Sequence, residues 1–197
     1  KMDRERRILI ALYQDKLGMV IPKHIAFLRA INVGGRIVKM DILRRLFEAM
    51  SYTQVETFIA SGNVIFESPS EDIPALQRQI EQGLQQGLGY TVDTFIRSPL
   101  ALAAVAQHQP FSHLDTPDSA LYVAFMGQPP TSEAAQKLLT YANEVDQFQV
   151  KGCEVYWGCR KKVSESKFSG NVLERVLAMP ATIRNIRTVQ KLAAKYA

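Results

Sequence analysis

The chain has 197 residues, 47% of them apolar and 22% charged, with a formal net charge of +5, proportions ordinary for a soluble globular protein. No run approaches the roughly 18 apolar residues that a membrane-spanning helix needs. Ile8 to Tyr13 is too short and too interrupted for a secretory signal core, so a cytoplasmic location is expected. The two cysteines, Cys153 and Cys159, lack the two-residue gap of a zinc or redox motif and read as reduced structural thiols. Charge is unevenly spread: residues 151–197 hold ten Lys/Arg against three Asp/Glu, a net of +7, on a body that is neutral to acidic. A basic end of this kind attracts anions, although it can also be no more than a solvated helix face.

Residues 1–18 read as an amphipathic helix closed by Gly18, separate from the rest of the chain. Ile25 to Ile31 is an apolar, central strand that ends in Arg29, Asn32 and the Gly34-Gly35 pair. A helix from Met40 to Met50 comes next, with Ile42, Leu43, Leu46, Phe47 and Met50 on one face. Val55–Ile59 and Val64–Phe66 form two strands around the Ala60-Ser61-Gly62-Asn63 turn. Asp72 and Pro74 open a second helix with Ile73, Leu76, Ile80 and Leu84 as its buried stripe, and Tyr90–Ile96 reads as a closing strand. This order, β-α-β-β-α-β, is the split βαβ arrangement of ferredoxin-like domains, an antiparallel sheet with helices packed on one face.

Ser98–Ala106 reads as a short helix belonging to this first half, which spans residues 19–107. Residues 108–118, with two prolines and no periodicity, read as a linker. A second round over residues 119–197 repeats β-α-β-β-α: strands at Leu121–Met126, Phe148–Val150 and Val155–Trp157, helices at Thr131–Ala142 and Asn171–Ala178. A final helix from Thr182 to Tyr196 takes the place of the closing strand. The fold class expected is α+β, two ferredoxin-like halves plus an N-terminal helical extension.

Four motifs carry a resemblance. Phe27-Leu28-Arg29-Ala30-Ile31-Asn32-Val33-Gly34-Gly35 and Thr57-Phe58-Ile59-Ala60-Ser61-Gly62-Asn63-Val64 lie in the first half, and Ser166-Lys167 and Ala181-Thr182-Ile183-Arg184-Asn185-Ile186-Arg187-Thr188-Val189 in the second. Over about residues 22–197 the chain resembles the domain-of-unknown-function 1697 family of small bacterial proteins. Ala30 stands where the family pattern has glycine, Phe58 where it has tyrosine, Ala60 where it has glutamine and Ile186 where it has tryptophan. The resemblance implies a fold and a set of recurrent positions, and no mechanism.

Asn32-Val33-Gly34-Gly35 before a helix could present backbone N–H groups to an anion, with Lys39 a loose substitute for a phosphate-binding lysine. The spacing fits no known phosphate loop, and a tight turn is the plainer reading. Ser61 lacks a nucleophile-elbow context and a nearby histidine, so Ser61 and Asn63 read as turn chemistry. Arg184, Arg187, Lys191 and Lys195 recur at three- and four-residue steps and are expected on one face of the last helix. Trp157 reads as core, and Ser166-Lys167 as an anion contact or a cap. No carboxylate pair has the spacing of a metal or acid/base site, so neither a metal nor a cofactor is expected, and no catalytic motif is recognisable.

Three functions are consistent with these features. The first is a non-catalytic binder of a phosphate-bearing ligand or nucleic acid through the basic C-terminal region. The second is an enzyme on a small anionic metabolite held by Arg29, Asn32, Lys167, Arg184 and Asn185. The third is a structural or oligomerisation module. The candidate ligand-binding set is Arg29, Asn32, Gly34, Gly35, Lys39, Ser61, Asn63, Lys167, Arg184 and Asn185.

Overall fold

A computed structural model describes residues 20–32, 37–111, 114 and 118–197. The expected N-terminal helix over residues 1–18 and the Gly34-Gly35 pair lie outside the described residues. The chain divides into two compact units, one ending at Ser98 and the other beginning at Pro99.

In the first unit β1 (Lys23–Leu28), α1 (Met40–Ala49), β2 (Thr53–Phe58), β3 (Asn63–Glu67), α2 (Ile73–Leu88) and β4 (Thr94–Arg97) follow in that order. The sheet runs β2-β3-β1-β4 with every neighbour antiparallel. Leu43 and Phe47 of α1 and Leu76, Ile80 and Leu84 of α2 pack on Ala26, Leu28, Val64, Phe66 and Ile96. Each such side chain, fully buried, contributes about 1.5–3 kcal/mol. α2 starts where Asp72 accepts a hydrogen bond from the Ala75 amide at 3.0 Å, with Pro74 in its first turn. β4 is shorter than the expected Tyr90–Ile96. Just before it the Asp93 carbonyl accepts from the Arg29 amide at 2.9 Å, and at its first residue the Thr94 amide donates to Glu81 Oε1 at 2.9 Å.

In the second unit α3 (Pro99–Gln107), β5 (Ala120–Phe125), α4 (Ser132–Leu139), β6 (Asp146–Lys151), β7 (Glu154–Cys159), α5 (Gly170–Leu177), β8 (Thr182–Asn185) and α6 (Ile186–Tyr196) follow. The sheet runs β6-β7-β5-β8, again antiparallel. Two expectations are corrected here. The second half has its closing strand, since Thr182–Asn185 pairs with Tyr122–Phe125 and the last helix begins only at Ile186. The helix after Ser98 falls in the second unit, where it packs against α6. α4 and α5 lie on the face of Ala124, Val155 and Trp157. The opposite face is covered too: the Tyr156 hydroxyl donates to the Val105 carbonyl of α3 at 3.4 Å, and α6 packs on β5. Helices therefore flank this sheet on both sides.

A buried carboxylate ties this second core together. Asp146, 2% exposed, accepts from Trp157 Nε1 at 2.8 Å, and Ser166 Oγ donates to it at 2.8–2.9 Å. Ser166 Oγ in turn accepts from the Phe168 amide at 2.9 Å, which sets the Phe168 ring 5.2 Å from Trp157. Trp157 is core, as expected. The Ser166 hydroxyl is consumed by this network and offers no contact to a ligand.

Candidate functional site

In the first unit Arg29, Asn32, Ser61 and Asn63 bond to other parts of the chain. Asn32 sits at a left-handed φ of 59°. Its Oδ1 accepts from the Val38 amide at 2.6 Å and its Nδ2 donates to the Ala60 carbonyl at 2.9 Å, clipping the start of α1 to the β2–β3 turn. Asn63, fully buried, donates to the Phe58 carbonyl at 3.0 Å and to Ser61 Oγ at 2.9 Å, so Ser61 is a turn residue. Gly62 closes the turn at φ 71°, and a Cβ there would lie 2.9 Å from Ile31 Cβ. Arg29 reaches Asp93 at 3.2 Å. Lys39 is the exposed N-cap residue of α1 and makes no cap hydrogen bond with its side chain.

In the second unit the expected set separates. Arg184 lies in β8 instead of on a helix face, and its guanidinium is buried; it donates to Thr182 Oγ1 at 2.8 Å and to the Ile183 carbonyl at 2.9 Å. Burial pulls its pKa down to about 10, so it stays charged at neutral pH. Lys167 is exposed on the loop before α5. Asn185 caps α6, its Oδ1 accepting from the Arg187 amide at 2.9 Å. The basic face of α6 therefore starts at Arg187 and continues through Lys191 and Lys195, all exposed.

Asn185 also lines a cleft of about 560 Å³ at the edge of the sheet where β5 begins and β7 and β8 end. Such a volume is ordinary for a small-molecule site. Arg187 and Gln190 of α6 form one side, and Lys162 and Ser164, past the end of β7, close the edge. Its apolar surface comes chiefly from Phe111, Leu114 and Tyr122, and Gln109, Asp118 and Ser119 add polar groups. Leu114 is pinned by Ser119, whose hydroxyl donates to its carbonyl at 2.7 Å. Burial and, secondarily, the Cys159 thiol push the Tyr122 phenol up, with its hydrogen bond to Asn185 opposing; at neutral pH it is an uncharged hydroxyl.

Of the candidate residues in the second unit, Asn185 lines this cleft, and Lys167 and Arg184 do not. Sequence reading missed Phe111 and Leu114 because they sit in the stretch read as a linker; it placed Lys162 only in the basic C-terminal region and Arg187 on the basic face of the last helix. The signal that could have found them is two large apolar residues inside an otherwise polar, proline-bearing segment. Among the described residues no group of three His, Cys, Asp or Glu could hold a metal, and no helix is long and apolar enough to cross a membrane.

One solved structure is that of a conserved bacterial protein, SP0830, from Streptococcus pneumoniae. It superposes with a TM-score of 0.68 at 21% identity, covering 90% of this chain and 99% of that one. At that identity the likeness shows the fold. No curated protein matches the chain. A family model described as a protein of unknown function, DUF1697, matches residues 21–156, which contain the first two of the four motifs. The chain belongs to that family.

Proposed function

We propose that the protein binds a phosphate-bearing small molecule in the second-unit cleft, without acting on it chemically. One observation carries this reading: a cleft of small-molecule size has Arg187 and Lys162 on its lining, beside the Asn185-capped start of α6. A helix start concentrates positive partial charge on its amides, and an arginine adds a forked cation suited to phosphate oxygens. Ser61, the serine weighed as a nucleophile, accepts a hydrogen bond from Asn63 within its turn. A second reading, polynucleotide binding, is favoured by the exposed Arg187, Lys191 and Lys195 face of α6.

A thermal-shift panel of nucleotides, sugar phosphates and short oligonucleotides tests both, because a ligand that binds only the folded state raises the midpoint. The cleft reading expects a small phosphate ester to raise it and Arg187→Gln to abolish the rise. Oligonucleotides alone raising it, with a steep loss as salt increases, would transfer the function to the helix face. No shift with any of them would remove both.

A further inference from the structure

The cleft lining has two chemically distinct ends. At one end Phe111 lies directly on β7. A Cβ built on Gly158 would come 2.8 Å from the Phe111 ring and 3.0 Å from Leu114, so only glycine there leaves room for an aromatic plate on the strand backbone. At the other end Asn185 and Arg187 open α6 just past β8. In the strand order β7-β5-β8, Leu121 is opposite Gly158 and Tyr122 opposite Asn185; side chains alternate along β5, so the Phe111 ring lies on the face of the sheet away from the Tyr122 and Asn185 side chains. Inorganic phosphate has no group for the ring, and a sugar phosphate has nothing to lay against it. Asp118, also on the lining, disfavours an extended polyanion and can accept a hydrogen bond from an amino group.

We propose that the cleft takes a nucleoside monophosphate, its phosphate at Arg187 and the start of α6 and its planar base on Phe111. This rests on the phosphate-cleft reading above and adds the aromatic half of the ligand. Stacking of a base on an aromatic side chain is worth about 1–3 kcal/mol, enough to separate a nucleotide from its sugar phosphate.

Calorimetric titration of the full chain with AMP, ribose 5-phosphate and adenosine is the test, on the wild type, Arg187→Gln and Phe111→Leu. Leucine keeps an apolar group on Gly158 while removing the ring. The expected result is AMP at least tenfold tighter than either fragment. R187Q should weaken AMP and ribose 5-phosphate while leaving adenosine unchanged, and F111L should bring AMP to the level of ribose 5-phosphate. Ribose 5-phosphate binding as tightly as AMP, with both weakened in R187Q, would overturn the nucleotide assignment and leave the phosphate cleft standing. AMP and ribose 5-phosphate both failing to bind, or both indifferent to R187Q, would overturn the two together.

Discussion

Removing the Asp146 carboxylate should destabilise the second unit more than any other single polar change in it. Asp146→Ala takes away the acceptor to which the Trp157 indole N–H and the Ser166 hydroxyl are now bonded at 2.8–2.9 Å. Hydrogen bonds to a charged group are worth about 1.5–3 kcal/mol each. The Ser166 hydroxyl can turn partly toward the Phe168 carbonyl, 3.5 Å away, so its share lies at the low end. Relief of the buried charge offsets a further part. The expected loss is about 3 kcal/mol. Asp146→Asn keeps an acceptor for Trp157 and should lose only about 1 kcal/mol. Urea denaturation followed by circular dichroism and by the emission of Trp157, the chain's single tryptophan, reads both. A loss below about 1 kcal/mol for D146A would refute the view that this carboxylate organises the core.

Two further outcomes concern the first unit. Ala30 is exposed and held at φ 57°, where the family pattern has glycine; Ala30→Gly should stabilise the unit by about 0.5–1 kcal/mol, read as a raised urea midpoint, and a lowered midpoint would contradict the strain. His24 is buried 5.3 Å from the Phe66 ring, with neither ring nitrogen hydrogen-bonded to a described residue. Desolvation lowers its pKa. The nearby Ser68 and Ser70 backbone, short of hydrogen-bond geometry, and the Glu71 carboxylate offset this only in part. The unfolded chain therefore takes up the proton first, and stability is lost as pH falls below the ordinary histidine value. Urea midpoints at pH 7 and pH 5 should fall further in the wild type than in His24→Phe, by at most about 1.4 kcal/mol per pH unit crossed. Equal falls would show that His24 does not carry the effect.

Much of the architecture was legible because it is written locally. The alternation and helical stripes of residues 23–97 give the element order, Asp72 and Pro74 mark a helix start, and Ser61-Gly62-Asn63 marks a turn that the Asn63 amide then holds. The closing strand of the second unit was hidden for the opposite reason. Thr182-Ile183-Arg184-Asn185 is four residues long with three of them polar, and the spacing of Arg184 to Arg187 mimics a helix face. Only pairing with Tyr122–Phe125 makes the segment a strand, and that partner is some sixty residues away in sequence. Arg184 consequently turned from an expected surface cation into a buried one. Nothing local says which unit a short helix such as Pro99–Gln107 joins. The cleft was least legible, since it joins a loop residue, Phe111, to a helix start, Arg187, through the order of three strands.

The central claim is where a phosphate ester binds. Backbone amide shifts of the isotope-labelled protein, titrated with whichever phosphate ester gives the largest thermal shift, locate it residue by residue. The cleft account predicts that the perturbed amides cluster at Lys162–Ser164 and Asn185–Gln190. Shifts confined to Arg29–Asn32 and Ala60–Asn63 of the first unit, or spread along Lys191 to Lys195, would contradict it.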